Sequence, residues 1–546
     1  MIPRRFFALA VFCGVALISL FLFSRRSEVT LSVPVPIPDS WADTLEQTWE
    51  QAWQSSGYNK QDDAHDDNQK WESPPKKPGF IQGEPGGKEA GSNTKPLAVG
   101  TATPHGTGSY LKPTPFPPPD PPLPDVVNVA IVESGGTNEE TTAALINAFG
   151  TQNYTQLSLY MLQQRYGIGE IINNFNLSHP ILVNKSSEDF EAAVRADDVS
   201  PHIIVSATCE ADLLALNEPL TKLLERKDTY LFCVIHQPER WVEQNLIEKL
   251  QPWINAQLVD LVALSHHTAR YLRTDVINAW DFNATVTVRH LAPLFPMQLP
   301  NDELARAMSS TLGADTFQYP IAMHGDFDAT RHNYSEVFDK IVELKDRVKK
   351  GVKIETKEET KIEKREISLH ILGERAPPDV PKKVKPLLSV DHALPLQEQY
   401  EILSKSYILL PAFSFGSESD YLSKLASWCI PAALIAGVPF AADDNILDAY
   451  GYVSREAVWY RLESEDEMKI AERVLMWSEE EHRRKKASVR KHTQLIIQRQ
   501  LGVVDEWIRM GIRRAERAGW RMKADNGEGH VADAPGPEDG INDMWW

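Results

Sequence analysis

The chain has 546 residues, 42% of them hydrophobic, so it can form more than one folded core. Its 57 basic and 76 acidic residues give a formal net charge of −19, which argues against a nucleic-acid-binding protein, because a phosphate backbone needs a basic surface. The basic run at 483–491 is interpreted as a solvated helix face. The four cysteines lack CxxC spacing, so zinc binding is not indicated.

The amino end carries an apolar stretch without charges, Phe6–Phe23, between two pairs of arginines. As a helix it would span about 27 Å, which is enough for a thin bilayer. A cleaved signal peptide is the alternative, but the small residues of a cleavage site do not follow the stretch. We therefore interpret residues 1–26 as a cytoplasmic tail and signal-anchor helix. Residues 27–125 are rich in proline and polar residues, which predicts a disordered stem.

Sequons for N-glycosylation occur only beyond residue 150. They are Asn153, Asn176, Asn184, Asn283 and Asn333. Their position predicts that the folded part lies in the lumen of the secretory pathway, as in a single-pass type II membrane protein. A span of eighteen residues suits the ER or Golgi membrane better than the thicker plasma membrane.

Residues 126–316 alternate apolar runs with amphipathic segments, which predicts a doubly wound α/β domain. The first run, Val126–Glu133, precedes Ser134-Gly135-Gly136 and a predicted capping box, Thr137–Glu140, that would open a helix through Phe149. Free N–H groups there would suit an anion, although a plain tight turn remains the simpler explanation. The further predicted strands are Glu170–Ile172, Ile181–Val183, His202–Ser206, Tyr230–Ile235, Leu258–Leu264 and Thr285–Val288.

Histidines follow two of these strands. His236 comes directly after Tyr230–Ile235, where an imidazole suits acid–base work or hydrogen bonding to sugar and phosphate, and a structural role stays equally open. His266 and His267 are explained more simply as the start of a helix capped by Ser265. Elsewhere in this half, Cys209 and Cys233 are interpreted as small buried residues that would pair only if their strands were adjacent.

Residues 317–520 repeat the alternation of strands and helices and predict a second domain of the same class. The charged run Lys349–Arg365 is interpreted as a solvated loop or hairpin. Near Ser404–Asn445 the pattern is strand, polar loop, helix, Gly-x-Pro and strand, with Pro431 expected to kink or divide the helix. Three further helices are predicted near 465–477, 479–500 and 502–517, followed by a disordered tail at 521–546.

Two successive Rossmann-like domains with a cleft between them resemble the GT-B glycosyltransferases. In the second half, PIAMHGDFDATRHNY and LHILGE resemble the first two strands and loops of the nucleotide-binding domain. LPLQEQYEILSKSYILLPAF and AALIAGVPFAADDN resemble the segments that build the donor site. VALSHHTARYL and VRHLAPLFP are similar to the end of the first domain. The similarity covers residues 126–480, resembles glycosyltransferase families 1 and 4, and suggests a fungal-type single-pass membrane member.

The resemblance implies a hexosyltransferase that uses a nucleotide-sugar donor and a glycan or glycoprotein acceptor, with no metal and no further cofactor. The acidic pair Asp443-Asp444 is interpreted as a solvated turn. The implied acceptor side is Gly135 and Gly136. The implied catalytic residues are His236, Arg331 and Lys424. The implied donor-binding residues are Gly325, Arg331, Gly373, Glu374, Ser417, Glu418, Ser423, Lys424 and Ser427.

One departure from the family pattern concerns its pair of glutamates on the donor-site helix, whose places are taken here by Lys424 and Ala432. A basic side chain at Lys424 would stabilise a leaving diphosphate directly. The missing pair also leaves a second hypothesis open, a catalytically inactive GT-B-fold binding or scaffold protein in the lumen. An unrelated two-domain α/β receptor that closes on a small ligand is a third.

Overall fold

The folded part of the chain lies within one compact unit at residues 112–546. The computed structural model describes residues 123–282, 285–299, 317–325, 331–349, 352–355, 360–363, 365–373, 379–413, 419–462 and 465–525. The predicted anchor helix and nearly all of the predicted stem lie outside these residues. Among the helices that are described, none is both long and apolar enough to cross a bilayer.

The first sheet contains seven parallel strands in the order β3-β2-β1-β4-β5-β6-β7. They are β1 (Val127–Glu133), β2 (Thr155–Met161), β3 (Val183–Lys185), β4 (Ile203–Ser206), β5 (Tyr230–Ile235), β6 (Val259–Ala263) and β7 (Thr287–His290). The order reverses between β1 and β4, which is the switch point where open α/β sheets bind ligands at the carboxyl ends of their strands.

The second sheet contains six parallel strands in the order β12-β11-β8-β13-β14-β15, with its switch point between β8 and β13. A separate antiparallel hairpin, β9 with β10, occupies the charged run, so of the two predicted alternatives, loop and hairpin, the hairpin is present. The strands are β8 (Phe317–His324), β9 (Val352–Glu355), β10 (Thr360–Glu363), β11 (Arg365–Gly373), β12 (Leu388–His392), β13 (Ile408–Leu409), β14 (Phe440–Ala442) and β15 (Val458–Tyr460).

Helices connect the strands of both sheets. Those of the first half are α1 (Glu139–Gly150), α2 (Ile168–Asn173), α3 (Ser187–Arg195), α4 (Cys209–Ala215), α5 (Asn217–Arg226), α6 (Gln244–Asn255) and α7 (His266–Tyr271). Those that follow are α8 (Tyr334–Val348), α9 (Leu396–Lys405), α10 (Asp420–Ser423), α11 (Cys429–Ala436), α12 (Asp444–Ala449), α13 (Glu467–Val474) and α14 (Glu479–Asp525). Two parallel-sheet α/β regions are thus present, as the sequence predicts.

Helix α14 is one continuous helix where two separate helices and the start of a disordered tail were predicted. Its first part packs on the second half of the chain, where Thr493 donates a hydrogen bond to the carbonyl of Leu434 at 2.9 Å. Its later part returns to the first sheet, where Trp507 stacks on Phe232 with the ring centroids 6.0 Å apart. Hydrophobic residues of both halves therefore share one core.

Some local predictions are wrong. Residues Glu170–Ile172 lie in helix α2 and not in a strand, because a three-residue apolar run does not distinguish the two. Strand β2 was missed because polar residues alternate with its apolar ones. The predicted capping box is absent, since Asn138 is the N-cap residue of α1, in a left-handed conformation and without a side-chain cap bond.

The helical segment before Gly437 is divided, but not at Pro431. Helix α10 ends at Ser423 and α11 begins at Cys429, which leaves Pro431 in the first turn of α11, where a missing N–H costs little. Gly437 ends α11 with φ +70°, in the region that favours glycine. The division matters because Lys424 lies in the break.

Cys209 and Cys233 form a disulfide that joins the start of α4 to strand β5. Both cysteines are completely buried. Cys429 is the free cysteine among the described residues, and burial raises the pKa of its thiol to about 12. The disulfide fixes α4, which carries acidic residues of the first sheet's carboxyl edge.

Candidate functional site

The loops after the carboxyl ends of the strands in the two sheets contact each other. The N–H of Leu396, which follows β12, donates to the carbonyl of Tyr166, which follows β2, at 2.8 Å. His267, which follows β6, contacts the carbonyl oxygens of Leu425 and Ala449 at 2.8 Å. Ligands of open α/β sheets bind at such edges, so the region between the two edges is the candidate site.

At the first switch point, Asp212 of α4 organises the loop that follows β1. Its carboxylate accepts hydrogen bonds from the N–H and hydroxyl of Ser134 at 2.7 and 2.5 Å. It also accepts from the hydroxyl of Ser206 at 2.6 Å and from the N–H of Thr208 at 3.1 Å. Gly135 donates its N–H to the hydroxyl of Thr208 at 3.2 Å. The N–H groups of Ser134 and Gly135 are therefore already bound within the protein.

Glu133, the last residue of β1, lies beneath the same loop. It is 0% exposed, and its Oε2 has no hydrogen-bond partner among the described residues. Burial and the nearby charge of Asp212 raise its pKa to about 7, although Thr137 and Gly136 donate backbone hydrogen bonds to it. This side of the site carries carboxyl groups where the sequence suggested an anion-binding turn.

His236 lies at the carboxyl end of β5, as the sequence predicts. Its Nε2 is 2.8 Å from the carbonyl oxygen of Ala207, and its backbone N–H donates to Glu210 at 2.9 Å. Glu210 is buried and also accepts from the N–H of Gln237 and the indole of Trp241. If Nε2 donates to Ala207, then Nδ1 carries the lone pair and is a proton acceptor.

At the second switch point, β8 ends at His324 and is followed by Gly325, whose φ is +134°. A Cβ atom at Gly325 would lie 3.2 Å from Nε2 of His332, so a larger residue would crowd the turn. His324 is 7% exposed, and its Nδ1 has no hydrogen-bond partner among the described residues. Burial lowers the pKa of His324 to about 4, which keeps the ring neutral at physiological pH.

The chain after β13 is held in a strained conformation at the same switch point. Ala412 has φ +49°, which costs energy for any residue other than glycine. Its N–H donates to the carboxylate of Glu467, at 2.9 Å to Oε2, and its carbonyl accepts from the N–H of Asn333 at 2.8 Å. Glu467 keeps partial exposure, yet burial raises its pKa to about 7.

Arg331 and Lys424 lie on this edge. The guanidinium of Arg331 donates to the hydroxyl of Tyr421 at 3.4 Å and lies 5.8 Å from the centroid of its ring. Nζ of Lys424 is 3.1 Å from the Asp420 carboxylate, and the lysine side chain is 41% exposed. Asp420 raises the pKa of Lys424, and Tyr271 and Glu239 of the first half add to this effect. Lys424 thus lies within electrostatic range of the first half of the chain.

The remaining donor-binding candidates differ in position. Gly373 ends β11, next to β8, so it belongs to the same edge. The hydroxyl of Ser423 donates to the Ser419 carbonyl at 3.2 Å. Ser427 is buried, and its hydroxyl donates to the sulfur of Cys429 at 3.1 Å, so that hydroxyl is used within the fold. Glu374, Ser417 and Glu418 lie outside the described residues.

The sequons also differ in accessibility. Asn153, Asn176 and Asn184 are exposed. Asn333 is partly buried and caps helix α8 by accepting the N–H of Glu336 at 3.3 Å, so its side chain has a structural use. Asn283 lies outside the described residues.

The acidic pair Asp443-Asp444 differs from the predicted solvated turn at Asp443, whereas Asp444 is exposed as predicted. Asp443 caps α12 and forms an ion pair with Arg461. Asp444 pairs with Arg455 at 2.7 Å and accepts from the hydroxyl of Tyr460 at 2.8 Å. Both carboxylates are therefore bound within the protein.

Sequence reasoning missed Glu133, Asp212, His324 and Tyr421 as candidate site residues. Glu133 carried a signal, because an acid ends an otherwise apolar strand just before two glycines. Asp212 carried none, since an acid on an amphipathic helix is usually a solvated residue.

No protein-family profile matches the chain, and no curated protein is similar enough in sequence to match it. Solved structures do match. HepE of Anabaena in complex with UDP-glucose has a TM-score of 0.41 at 11% identity, covering 73% of this chain and 99% of HepE. An O-GlcNAc transferase variant of Thermobaculum terrenum has a TM-score of 0.38 at 12% identity, covering 74% of this chain and 71% of its own.

A glycosyltransferase of Rickettsia africae has a TM-score of 0.38 at 8% identity, covering 70% of this chain and 99% of its own. At these low identities and TM-scores, the similarities carry no conclusion about the activity of this chain. The case for a function rests on the residues of the two edges.

Proposed function

We propose that this protein is a glycosyltransferase that transfers a sugar from a nucleotide-sugar donor to a glycan or glycoprotein acceptor. The observation that carries the proposal is the contact between the carboxyl edges of two Rossmann-like sheets, with Arg331 and Lys424 on the edge of the second. A leaving nucleoside diphosphate gains negative charge in the transition state, and preorganised cations stabilise that charge. The donor then lies on the second edge and the acceptor on the first.

The roles of individual residues follow from their positions. Arg331 and Lys424 bind the diphosphate, with Gly325 and Gly373 allowing the donor to approach the strand ends. His236 accepts the proton of the acceptor hydroxyl, because its Nδ1 is left as a proton acceptor when Nε2 donates to Ala207. Gly135 and Gly136 line the acceptor side. The transferred sugar is a hexose in this proposal.

We propose that donor binding needs no metal ion or further cofactor. The ion pairs of Asp443 with Arg461 and of Asp444 with Arg455 support this, because both carboxylates already have cationic partners. Basic side chains would then neutralise the diphosphate in place of a divalent cation.

We further propose a single-pass type II membrane protein of the Golgi or ER, with its folded body in the lumen. The disulfide between Cys209 and Cys233 supports an oxidising compartment, since structural disulfides are rare in the cytosol. The exposed sequons at Asn153, Asn176 and Asn184 are accessible to the glycosylation machinery of the lumen.

The test is a panel of nucleotide sugars added to the full-length protein in detergent. One of them is expected to raise the melting temperature and to act as a donor for a glycan acceptor. Lys424→Ala and Arg331→Ala should each lower kcat/KM about 100-fold, because each removes a charge that stabilises the transition state. The exposed Lys383 provides a matched control, and Lys383→Ala should leave kcat/KM unchanged.

A second candidate function is a lumenal binding or scaffold protein without turnover. The observation that favours it is the burial of Ala432 inside α11, at one of the two places where related enzymes carry a glutamate. Such a protein would bind a nucleotide sugar without transferring it. Turnover that Lys424→Ala and Arg331→Ala both reduce would exclude this candidate, and failure of every nucleotide sugar to bind would contradict both.

A further inference from the structure

His267 connects the two halves of the chain through both nitrogens of its ring. The residue is 0% exposed. Its Nε2 lies 2.8 Å from the carbonyl oxygen of Leu425, and its Nδ1 lies 2.8 Å from that of Ala449 and 3.0 Å from the hydroxyl of Ser265. The histidine comes from α7 in the first half, whereas both carbonyl groups belong to the second. This contact was not anticipated from the sequence, which explained His267 as part of a capped helix start.

The two carbonyl groups belong to different elements. Leu425 directly follows Lys424, in the 424–428 segment that separates α10 from α11. Ala449 ends α12, and the ring of the next residue, Tyr450, packs edge-on against His267 with the centroids 5.0 Å apart. His267 of α7 therefore contacts both the 424–428 segment, which carries Lys424, and the end of α12.

Tyr450 holds the same segment from within the second half. Its hydroxyl accepts the N–H of Ser427 at 2.8 Å and donates to the carbonyl of Tyr421 at 3.0 Å. The N–H groups of Lys424 and Leu425 both donate to the carbonyl of Asp420 at 2.8 Å. The backbone around Lys424 is thus bound at several points, and His267 is the one among them that comes from the first half.

We propose that His267 is a positioning residue for nucleotide binding, which fixes the 424–428 segment so that Lys424 is held at the contact between the two edges. The inference rests on the proposed function, in which Lys424 binds the donor's diphosphate. His267 acts through Lys424 and touches no substrate. A placed cation binds a diphosphate more tightly than a mobile one, because the cost of ordering the side chain and loop is met before the ligand arrives.

An apolar residue at position 267 could not donate a hydrogen bond to either carbonyl group. Buried carbonyl groups that lose their donor carry the full cost of leaving water. A neutral imidazole donates one hydrogen and can bind either carbonyl, while the imidazolium binds both. The ring places one nitrogen 2.8 Å from each of the two carbonyl oxygens, so in either neutral tautomer one of them receives a hydrogen bond.

The test uses a matched pair of variants of the full-length protein in detergent. The amide nitrogen of glutamine takes the place of Nε2, and that of asparagine takes the place of Nδ1. His267→Gln therefore keeps a donor toward Leu425, whereas His267→Asn keeps one toward Ala449. Both lose the ring packing on Tyr450. We expect the Kd for UDP or GDP to rise about fivefold more in His267→Asn than in His267→Gln.

A second measurement is independent of any nucleotide. Hydrogen exchange at the amides of Leu425 and Ser427 should be faster in ligand-free His267→Asn than in His267→Gln. Tyr450→Phe should raise exchange at Ser427 as well, because it removes the acceptor of that amide without changing His267. A purely structural role predicts equal effects of the two substitutions on both measurements.

The two possible failures are distinguishable. Equal exchange at Leu425 in the two His267 variants, or faster exchange in His267→Gln, would overturn the role of His267. Failure of the unmodified protein to bind UDP, GDP or any nucleotide sugar of the panel, with the exchange difference present, would overturn the proposed function and with it the nucleotide-binding part of this inference.

Discussion

At the carboxyl edge of the first sheet, the buried carboxyl group of Asp212 accepts hydrogen bonds from Ser134 after β1 and from Ser206 and Thr208 at the end of β4, and Glu133 is buried beneath the loop after β1. At the corresponding edge of the second sheet, Arg331 is exposed and Lys424 is partly exposed. The two sheets have equivalent strand orders, yet their carboxyl edges carry different side chains. The cations of the second edge form their contacts with Asp420 and Tyr421 at the surface, whereas at the first edge a ligand must displace hydrogen bonds of a buried carboxyl group.

This difference suggests that the two edges bind different kinds of ligand. The second edge is suited to an anionic ligand, since it places two basic side chains at an exposed surface. The first edge is suited to a neutral, hydroxyl-rich ligand, because its groups are carboxyl, hydroxyl and imidazole. If the first edge is a closed network, substitutions within it should change stability, and substitutions away from the second edge should leave nucleotide affinity unchanged.

Asp212→Ala should lower the free energy of unfolding by about 4 kcal/mol, because it leaves the partly buried donors of Ser134 and the buried donors of Ser206 and Thr208 without their acceptor. Chemical denaturation measures the change. Glu218→Ala removes an exposed acid that pairs with Arg195, and should cost no more than about 0.5 kcal/mol. A small effect at Asp212 would mean that the first edge is not a closed network.

Replacing Cys209 and Cys233 together by alanine should cost about 3.5 kcal/mol, as expected for a crosslink between residues 24 apart. A reducing agent should lower the melting temperature of the unmodified protein and leave that of the double variant unchanged. Alkylation of the denatured, unreduced protein should label Cys13 and Cys429 alone. Labelling of Cys209 would show that α4 is not held to β5 in this way.

Glu133 predicts a pH dependence of stability. Its pKa is about 7 in the folded protein and near 4.5 when unfolded, so the folded state holds the proton between these values. The free energy of unfolding should therefore fall as pH rises from 4.5 to 7, by at most about 3 kcal/mol. Glu133→Gln should abolish this part of the decline, as measured by denaturation across that range.

The control for this pH dependence is Glu218→Gln, at an exposed position, which should leave the pH profile of the unmodified protein intact. A profile that Glu133→Gln does not change would show that Glu133 is ionised in the folded protein. The first edge would then be anionic at neutral pH and would repel the donor's diphosphate.

Gly437→Ala should lower the free energy of unfolding by about 1 to 2 kcal/mol, because φ is +70° and the new Cβ would lie 2.6 Å from Cγ of Arg490. Gly451→Ala, where no atom lies within 4 Å, is the matched control and should be neutral. Since Gly437 precedes β14, away from the carboxyl edge, nucleotide affinity should not change. A loss of affinity would link the second edge to the far side of its sheet.

Much of the fold was predictable from the sequence. The strand Tyr230–Ile235 has the predicted bounds, because six consecutive apolar residues between polar ones suit a strand buried on both faces. The charged composition of Lys349–Arg365 was compatible with a loop or a hairpin, and the pairing of β9 with β10 shows the hairpin. Strand β2 was not, because Gln156 and Ser158 interrupt its pattern, and these positions are only partly buried.

The candidate site was predictable only where position along the chain is informative. His236, Gly325 and Arg331 follow strands, so their placement at a carboxyl edge could be derived from the alternation of elements. The hydrogen-bond partner of each side chain could not be derived in this way. Ser427 was proposed as a ligand-binding hydroxyl and instead donates to Cys429 within the fold. Hydrogen-bond partners far apart in the sequence leave no local pattern.

By itself, the sequence determined two parallel-sheet α/β regions and the strand ends that form their edges, because buried strands and amphipathic helices have local periodicities. The tertiary structure alone decided which groups meet across those edges. His267 reaches Leu425 and Ala449 over 158 and 182 residues, and Asp212 reaches Ser134 over 78. Such contacts depend on how the sheets pack, and no run of neighbouring residues encodes that packing.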